Sequence, residues 1–421
     1  MVHHFAYRGG VLHAEDVALT EIADAVGTPF YCYSAATFRR HINVMQKAFA
    51  GRETLIAYAM KANSNQAILT LLAKEGAGAD VVSLGELERA LAAGIAPHKI
   101  VFSGVAKTEA ELRRGLEAGI RCFNVESEPE LERLDAVAGA MGKTAAVSVR
   151  INPDVDAGTH EKISTGKAEN KFGIPFERAH PVYRRIAELE HLEARGVDMH
   201  IGSQITALDP FDNAFRLLNE LVRDLRAQGH AIHHVDVGGG LGIPYAAGVS
   251  APPGPEDYAK VVLRHTADLD CELIVEPGRV IAGNAGILVT RVEYVKQGAE
   301  RTFLIVDAGM NDLIRPTLYQ AEHDIWPVAE ADGTTRVHGD VVGPVCETGD
   351  YLARGRELPA VGEAGLIAVM GAGAYGAVMA GTYNSRPLVP EVLVDGDRFH
   401  AIRPRQSIED LIALDSVPDW L

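Results

Sequence analysis

Cysteine is scarce in this chain of 421 residues, which contains four, at Cys32, Cys122, Cys271 and Cys346. No two of them form a Cys-x-x-Cys pair. This spacing indicates neither a disulfide scaffold nor a zinc cage, and the sequence predicts no metal site. A reducing, cytoplasmic setting is therefore the expectation.

Long apolar runs and positive charge are also lacking. Residues 1–10 have no apolar segment typical of a signal peptide, and residues 366–380 are glycine-rich and too short to span a bilayer. The net charge is -17, from 40 Lys and Arg against 57 Asp and Glu. Nucleic acid and membrane are therefore excluded as main partners, although a small anionic ligand could bind at a local basic cluster.

The chain has instead a hydrophobic fraction of 47%, which is enough to bury a large core. Its length predicts two or three domains. From residue 55 onward, a short apolar run, a polar or glycine-rich turn and an amphipathic stretch follow one another repeatedly. Eight apolar runs occur, at Leu55–Met60, Ala79–Ser83, Ile100–Gly104, Cys122–Val125, Ala146–Ile151, Val197–Ile201, His234–Val237 and Leu273–Val275.

Apolar runs that alternate with helical stretches are typical of parallel strands buried on both faces. Eight such units predict a (β/α)8 TIM-type barrel, within the α/β class. Two helix starts have the spacing of capping boxes, Thr108 with Glu111 and Ser127 with Glu130. The predicted helices include Gln66–Ala73, Glu86–Ala93, Glu109–Ala118 and Phe215–Ala227.

One connection breaks this rhythm. Residues 152–175 form an unusually long polar stretch between the fifth and sixth predicted strands. Long connections in compact domains often act as lids or binding loops, and the alternative is a disordered surface insertion. The sequence leaves both interpretations open.

After Gly283 the pattern becomes mainly β. Residues 287–295 and 302–306 have strand-like composition with no amphipathic helix between them, and short strands continue to about residue 405. We therefore predict a barrel at residues 26–282 and a β-rich C-terminal domain at residues 283–421, which residues 1–25 join.

The predicted strand ends hold several reactive residue types. In barrels of this kind the chemistry lies at the C-terminal ends of the strands. A lysine, a histidine, three glycines and a Glu/Arg pair fall there, at Lys61, His200, Gly238–Gly240, Glu276 and Arg279. Each has an ordinary explanation on its own, such as an exposed lysine, a core histidine or a tight turn. Their shared position at one rim indicates a single site.

These residue types suit one kind of cofactor. A desolvated lysine amine can condense with an aldehyde. Glycines let backbone N–H groups approach a phosphate, and Ser203 can add a donor. A carboxylate can pair with a pyridinium nitrogen, and an imidazole can stack on an aromatic ring. Together they predict binding of pyridoxal 5'-phosphate, whose ring acts as an electron sink.

Motifs along nearly the whole chain resemble those of the diaminopimelate decarboxylase family, within the alanine-racemase-like class of pyridoxal phosphate enzymes. Each motif is moderately specific, and eight in the family's order are very specific. They are Tyr58–Asn63, Asp80–Ser83, His200–Gln204, Gly238–Gly242, Glu276–Arg279, Arg315–Tyr319, Cys346–Asp350 and Gly373–Gly376. The resemblance implies decarboxylation of meso-2,6-diaminopimelate to L-lysine and carbon dioxide, the last step of lysine biosynthesis.

The resemblance also implies roles for residues of the barrel. Lys61 is similar to the lysine that holds the cofactor covalently, and Asp80 to an acidic residue near that lysine. His200 resembles the imidazole stacked on the cofactor ring, and Glu276 the partner of the pyridine nitrogen. The implied phosphate-binding set is Ser203, Gly239, Gly240, Gly278, Arg279 and Tyr375.

Residues that match motifs of the second domain are implied to handle the substrate. The implied set that grips carboxylate is Arg279, Arg315 and Tyr319, and Tyr375 is also implied to bind substrate. Glu347 resembles the acceptor of the distal ammonium, and Cys346 the acid that protonates Cα. The resemblance further implies a homodimer in which Cys346 and Glu347 reach into the partner subunit's site.

Alternative functions make different demands on these residues. A carboxylate at Glu276 keeps a pyridine nitrogen protonated, whereas a related racemase is expected to place a cation there. A decarboxylase of ornithine or arginine should not need the motif Arg315–Tyr319. The alternative enzyme is a decarboxylase of the same class that acts on another amino acid or on a carboxylated polyamine. A non-catalytic relative is expected to have lost Lys61 or Cys346, and both are present.

Two other patterns are weaker. Residues 371–376 match G-x-G-x-x-G, but Pro387 and Pro390 interrupt the βαβ unit that a dinucleotide site requires. His160 begins a possible zinc-protease motif, yet Ser164 stands where the second histidine is needed. Cys346 outside its motif would most simply be a small buried hydrophobe.

Overall fold

The computed structural model describes residues 3–166, 170–246, 251–330 and 336–421. The chain forms two compact units. The barrel unit comprises Arg39–Ile243 and Ser250–Ile281, and the β-rich unit comprises Met1–Phe38, Pro244–Val249 and Ala282–Leu421. Among the helices in the described ranges, none has both the length and the apolar character needed to cross a membrane.

The first elements along the chain belong mostly to the β-rich unit. Phe5–Arg8, Val11–Ala14 and Val17–Ala18 form a small antiparallel sheet, and the strand Phe30–Ser34 is buried along its whole length. The elements are β1 (Phe5–Arg8), β2 (Val11–Ala14), β3 (Val17–Ala18), α1 (Leu19–Val26), β4 (Phe30–Ser34) and α2 (Ala35–Ala48).

Parallel strands then close into a barrel, which confirms the predicted fold class. The strands of the barrel unit are β5 (Thr54–Ala59), β6 (Gly78–Val81), β7 (Ile100–Phe102), β8 (Cys122–Val125), β9 (Ala145–Asn152), β10 (Ile174–Pro175), β11 (Leu192–Asp198), β12 (His234–Asp236) and β13 (Glu272–Val275). In the described part of the chain, eight of them form the closed ring, and β10 pairs with β9 outside it. Pairing of β13 with β5 and of β8 with β9 completes the closure.

Helices connect these strands, as their apolar spacing predicts, and one short helix follows the last of them. They are α3 (Gln66–Lys74), α4 (Leu84–Ala92), α5 (Glu109–Ala118), α6 (Glu128–Ala140), α7 (Ala179–Glu188), α8 (Asp209–Ala227), α9 (Pro255–Thr266) and α10 (Arg279–Ala282). The helix predicted from Phe215 begins earlier, at Asp209, because Pro210 is tolerated in the first turn and Phe211 already extends the buried face.

One of the two predicted capping boxes is complete. Thr108 and Glu111 exchange both hydrogen bonds at the start of α5. At α6, Ser127 accepts the N–H of Glu130, but the Glu130 carboxylate accepts from the Glu126 N–H at 2.9 Å and from Lys107 Nζ at 2.7 Å. The second predicted capping box is therefore wrong in one of its two hydrogen bonds, the one from the Ser127 N–H to the Glu130 carboxylate. The buried Lys107 competes for that carboxylate.

The remaining elements complete the β-rich unit. They are β14 (Gly286–Gln297), β15 (Thr302–Val306), α11 (Arg315–Tyr319), β16 (Ile325–Pro327), β17 (Arg336–Val342), β18 (Tyr351–Pro359), β19 (Leu366–Val369), β20 (Glu391–Asp395), β21 (Arg398–Arg403) and α12 (Ile408–Ile412). One path through the sheet runs β18-β17-β15-β14-β4-β20-β21, while β19 pairs with β14 and β16. Because β4 pairs with β14 and β20, the segment from residue 26 to the start of the barrel strands contributes a strand to this unit.

Candidate active site

Lys61 lies just beyond the end of β5. The strand is apolar and almost wholly buried, and the chain then makes one 3-10 turn, Met60–Ala62. The Lys61 side chain is 36% exposed, and its Nζ donates to Asp80 Oδ2 at 2.7 Å. Asp80 is wholly buried in the neighbouring strand β6, where it pairs with Ala59. The amine therefore combines a fixed counter-charge with access from outside.

His200 lies at another strand end and is held in one protonation state. Its Nδ1 accepts the backbone N–H of Gly239 at 3.0 Å, so the neutral ring carries its proton on Nε2. Desolvation, followed by the charges of Arg150 and Lys61, lowers the pKa of His200 well below 6.5. The site thus contains a neutral imidazole, which can lie against an aromatic ring without an added cationic charge.

Glycines at the ends of β12 and β13 form a cradle. A Cβ on Gly239 would lie 2.2 Å from the carbonyl oxygen of Glu276, and Gly240 has a φ of +105°. Glycine is required at both positions, in the first by close backbone approach and in the second by conformation. Nearby, Arg279 Nη2 donates to Ser203 Oγ at 2.9 Å. Closely packed backbone and a guanidinium suit an anion such as phosphate.

Three buried carboxyl groups lie beneath this rim. Oxygens of Asp198, Asp236 and Glu276 are all within 4.8 Å of one another. The Asn124 amide donates to Asp236 Oδ2 at 3.5 Å and to Glu276 Oε1 at 3.4 Å, and the Gly238 N–H donates to Asp236 Oδ1 at 2.9 Å. A single amide thus links two acids.

Burial and mutual repulsion oppose ionisation of these three acids. Desolvation, followed by the charge of Asp236, raises the pKa of Glu276 well above 4.5, and the pKa of Asp198 is also raised well above 3.8 for the same two reasons. Desolvation raises the pKa of Asp236 to about 6. Burial and the convergence of three acids at one place therefore both favour the neutral form of the Glu276 and Asp198 carboxyl groups.

We expect Asp236→Asn to raise the melting temperature of the apoprotein at about pH 7.5. On folding, the pKa of the Asp236 carboxyl rises from 3.8 to about 6. Its contribution to stability is therefore fully present below pH 3.8, where the group is neutral in both states, and is lost as the pH rises through about 6 and the buried group must ionise. Because the amide of asparagine does not ionise, this loss does not occur, and the free energy of unfolding at about pH 7.5 should rise by on the order of 1–3 kcal/mol.

The gain should shrink as the pH falls from about 6 towards about 4, where the acid itself is neutral. Melting scans across this range test the effect. Asp24→Asn, at an exposed position on α1, is the matched control and should change little. A gain of equal size at every pH would contradict the assignment to the Asp236 charge.

The long connection after β9 is tied to the same rim. Thr165 Oγ1 donates to the carbonyl oxygen of His200 at 3.1 Å, and the Ser203 N–H donates to the carbonyl oxygen of Ile163 at 3.1 Å. The Gly173 N–H donates to Glu126 Oε2 at 3.1 Å. These contacts favour a binding loop over a disordered insertion for the described part of residues 152–175.

Arg315 is held tightly within the β-rich unit. Its side chain is buried at the start of α11. Nη1 donates to His323 Nε2 at 2.8 Å, and the guanidinium carbon lies 4.2 Å from the centre of the Tyr245 ring. Tyr319 ends the same helix and is half-buried.

Cys346 and Glu347 lie on the turn between β17 and β18, and both are exposed. Buried Asp350 fixes the turn by accepting the N–H groups of Met310 and Val345, each at 2.6 Å. The Cys346 N–H donates to Asn384 Oδ1 at 2.8 Å. An ordinary buried role for Cys346 is therefore wrong, and its thiol is presented on an ordered turn.

The two units divide the predicted site residues between them. The barrel unit holds Lys61, Asp80, His200, Ser203, Gly239, Gly240, Glu276, Gly278 and Arg279, at or near strand ends. The β-rich unit holds Arg315, Tyr319, Cys346, Glu347 and Tyr375. Sequence reasoning missed Asn124, Asp198, Asp236, Tyr245 and His323. The strand-end rule could have found the three in the barrel, because each lies at or next to the C-terminal end of a strand.

The barrel residues fit pyridoxal 5'-phosphate. An accessible amine, a neutral imidazole, a buried carboxyl and a cradle that a Cβ would fill provide one group for each part of that cofactor. A family model described as "Pyridoxal-dependent decarboxylase, pyridoxal binding domain" matches residues 35–283. The fold, the site and this match define the chain as a pyridoxal-dependent decarboxylase, with pyridoxal phosphate as its cofactor.

Relatives define the family more narrowly. Diaminopimelate decarboxylase of Vibrio cholerae is 52% identical over 416 residues, covering 98% of this chain and 99% of the relative. The structure of diaminopimelate decarboxylase from M. jannaschii in complex with L-lysine is similar with a TM-score of 0.94 and 38% identity, covering 99% of this chain and 98% of that one. The Helicobacter pylori enzyme complexed with L-lysine has a TM-score of 0.91 and 41% identity, with coverages of 94% and 98%. The chain belongs to the diaminopimelate decarboxylase family.

Proposed function

We propose that this chain converts meso-2,6-diaminopimelate to L-lysine and carbon dioxide, the last step of lysine biosynthesis. The observation that carries the proposal is a strand-end lysine, paired with buried Asp80, in a chain similar over nearly its whole length to diaminopimelate decarboxylases. When bound, pyridoxal 5'-phosphate supplies an electron-withdrawing ring that stabilises the negative charge left at Cα as carbon dioxide departs.

Residues of the barrel unit bind and orient the cofactor in this proposal. Lys61 attaches it through Nζ, which Asp80 positions. Ser203, held by Arg279, lies in the phosphate-binding set with Gly239, Gly240, Gly278 and Tyr375. Glu276 holds a proton at the pyridine nitrogen, the role that the motif resemblance implies for a carboxylate at this buried strand end. Neutral His200 covers the ring.

Residues of the β-rich unit recognise the substrate and return a proton. Arg315 and Tyr319, together with Arg279 and Tyr375, bind substrate carboxylate, and Glu347 accepts the distal ammonium. Cys346 Sγ delivers the proton that replaces carbon dioxide at Cα. This division of labour rests on the family likeness and on the buried, oriented guanidinium of Arg315.

We place Cys346 and Glu347 in the partner subunit's site of a homodimer with two shared sites. Their exposure on a turn that Asp350 fixes supports this arrangement, since a residue that serves a partner must be both accessible and ordered. The proposed location is the cytoplasm, in keeping with four free cysteines and a thiol that must stay reduced.

Carbon dioxide release from meso-diaminopimelate, measured beside L-ornithine, L-lysine and L-arginine, tests the function. We expect diaminopimelate to exceed the others in kcat/KM by at least about tenfold, because a charge-assisted hydrogen bond to the distal carboxylate contributes about 1.5–3 kcal/mol. The pyridoxal-reconstituted Lys61→Ala variant gives the background. Equal rates with ornithine or lysine would show that this chain has another substrate.

A further inference from the structure

His323 carries a hydrogen-bond pattern that fixes its tautomer. Its Nδ1 lies 2.7 Å from the carbonyl oxygen of Met370, and its Nε2 lies 2.8 Å from Arg315 Nη1. A carbonyl oxygen only accepts, so Nδ1 carries a hydrogen. A guanidinium N–H only donates, so Nε2 carries none. The ring is therefore neutral, and it accepts a hydrogen bond from a cation.

The backbone places this acceptor accurately. His323 comes shortly before β16 and Met370 directly follows β19, and these antiparallel strands pair Ile325 with Val369. The Met370 N–H donates to the carbonyl oxygen of Asp324 at 2.9 Å, which extends the pairing up to the histidine. The ladder thus sets the distance between His323 and the carbonyl that orients its ring.

Tyr245 completes the support from a second direction. Its ring lies beneath the Arg315 guanidinium, with 4.2 Å from the guanidinium carbon to the ring centre, and meets the His323 ring edge-on at 5.0 Å. Gly371 leaves room for it, since a Cβ there would lie 3.2 Å from Tyr245 Cδ1. A guanidinium held at one N–H and on one face has lost most of its freedom to rotate.

We propose that His323 and Tyr245 are positioning residues that hold Arg315 in the orientation needed to bind the distal carboxylate of the substrate. This proposal rests on the proposed function, in which Arg315 binds that carboxylate. A preorganised guanidinium loses less side-chain entropy on binding and discriminates better against ligands without the carboxylate. His323 and Tyr245 therefore set specificity without contacting the substrate.

The product offers a binding test that does not depend on turnover. Removing carbon dioxide from one end of diaminopimelate leaves the amino acid group at the other end, so L-lysine still carries the carboxylate that Arg315 would bind. 1,5-Diaminopentane has neither carboxylate. Calorimetric titration of the enzyme with bound pyridoxal 5'-phosphate separates recognition of the carboxylate from recognition of the rest of the ligand when these two ligands are compared.

We expect His323→Leu to weaken L-lysine binding about tenfold and to raise KM for diaminopimelate by a similar factor, with kcat less affected. Binding of 1,5-diaminopentane should not change. His323→Gln should restore much of the affinity, because its amide oxygen can accept from Arg315. Tyr245→Leu should weaken L-lysine binding, while Tyr245→Phe, which keeps the ring, should not. His400→Ala, at an exposed position, is the control.

A double-mutant cycle with Arg315→Ala decides whether the histidine acts through the arginine. In that background His323→Leu should have no further effect on L-lysine binding. The proposal is overturned if His323→Leu weakens L-lysine binding equally with and without Arg315→Ala, or if it weakens 1,5-diaminopentane binding as much as L-lysine binding. If His323→Leu fails to fold, an unchanged affinity of Tyr245→Leu for L-lysine overturns the proposal. If the wild type does not decarboxylate diaminopimelate, the proposed function is refuted instead. If Arg315→Ala binds L-lysine as well as the wild type does, Arg315 does not bind the carboxylate, and the positioning role of His323 is refuted with it.

Discussion

Replacing Lys61 with alanine is expected to abolish decarboxylation and to end covalent attachment of the cofactor. Lys61 offers an accessible amine beside a buried carboxylate, since its side chain is 36% exposed and its Nζ lies 2.7 Å from Asp80 Oδ2. Borohydride reduces a carbon–nitrogen double bond to a stable amine. Treatment of the wild type should therefore fix the cofactor to the peptide that contains Lys61.

Controls separate loss of chemistry from loss of the fold. Lys61→Ala should still bind the cofactor without a covalent bond, because the phosphate cradle and Arg279 are unchanged. Lys74→Ala, at the exposed end of α3, should keep full activity and attachment. Recovery of the reduced cofactor on a different lysine would refute the assignment.

The barrel was predictable where strands are mostly apolar and buried along their length. Cys122–Val125 is buried along its length, and its predicted and observed bounds agree. The sixth strand of the ring was predicted at Val197–Ile201, but it runs from Leu192 to Asp198. Its first half contains Glu193 and Arg195, which pair with each other, and a bulge follows Ala194. Charged side chains and an irregular register hide a strand from any rule based on apolar runs.

The site was predictable in its residue types but not in its pairings. The strand-end rule indicated Lys61 and Glu276, and a motif resemblance added Asp80. Nothing in one sequence shows that Asp198 and Asp236 bring their carboxyl oxygens within 4.8 Å of Glu276, because each comes from a different strand. The resulting shifts in pKa depend on burial and on this convergence, and both exist only in the folded barrel.

The contacts that hold Arg315 could not be predicted from the sequence for the same reason. Tyr245 lies in a short segment that follows the barrel strands in sequence but belongs to the β-rich unit, and its ring lies under the guanidinium of Arg315, 70 residues further along the chain. Only the pairing of β16 with β19 brings the Met370 carbonyl to His323. Contacts between segments far apart in sequence have no periodic signal, so they must be read from the structure.

Mixing two inactive variants is expected to restore activity if the sites are shared between subunits. Lys61→Ala removes the cofactor lysine from the barrel unit, and Cys346→Ala removes the proposed acid from the β-rich unit. Each alone should have little activity. In a hybrid dimer, one site carries both changes, and the other takes Lys61 from one chain and Cys346 from its partner.

The expected recovery follows from symmetry. Random exchange of equal amounts makes about half of the dimers hybrid, and each hybrid has one wild-type site of two, so activity should return to about one quarter of wild type. Different affinity tags on the two variants show whether subunits exchange. Two preparations of Cys346→Ala, mixed in the same way, give the baseline activity. If tagged hybrids form and activity stays at that baseline, Cys346 serves the site of its own chain. The exposed turn on which Cys346 lies then needs another explanation.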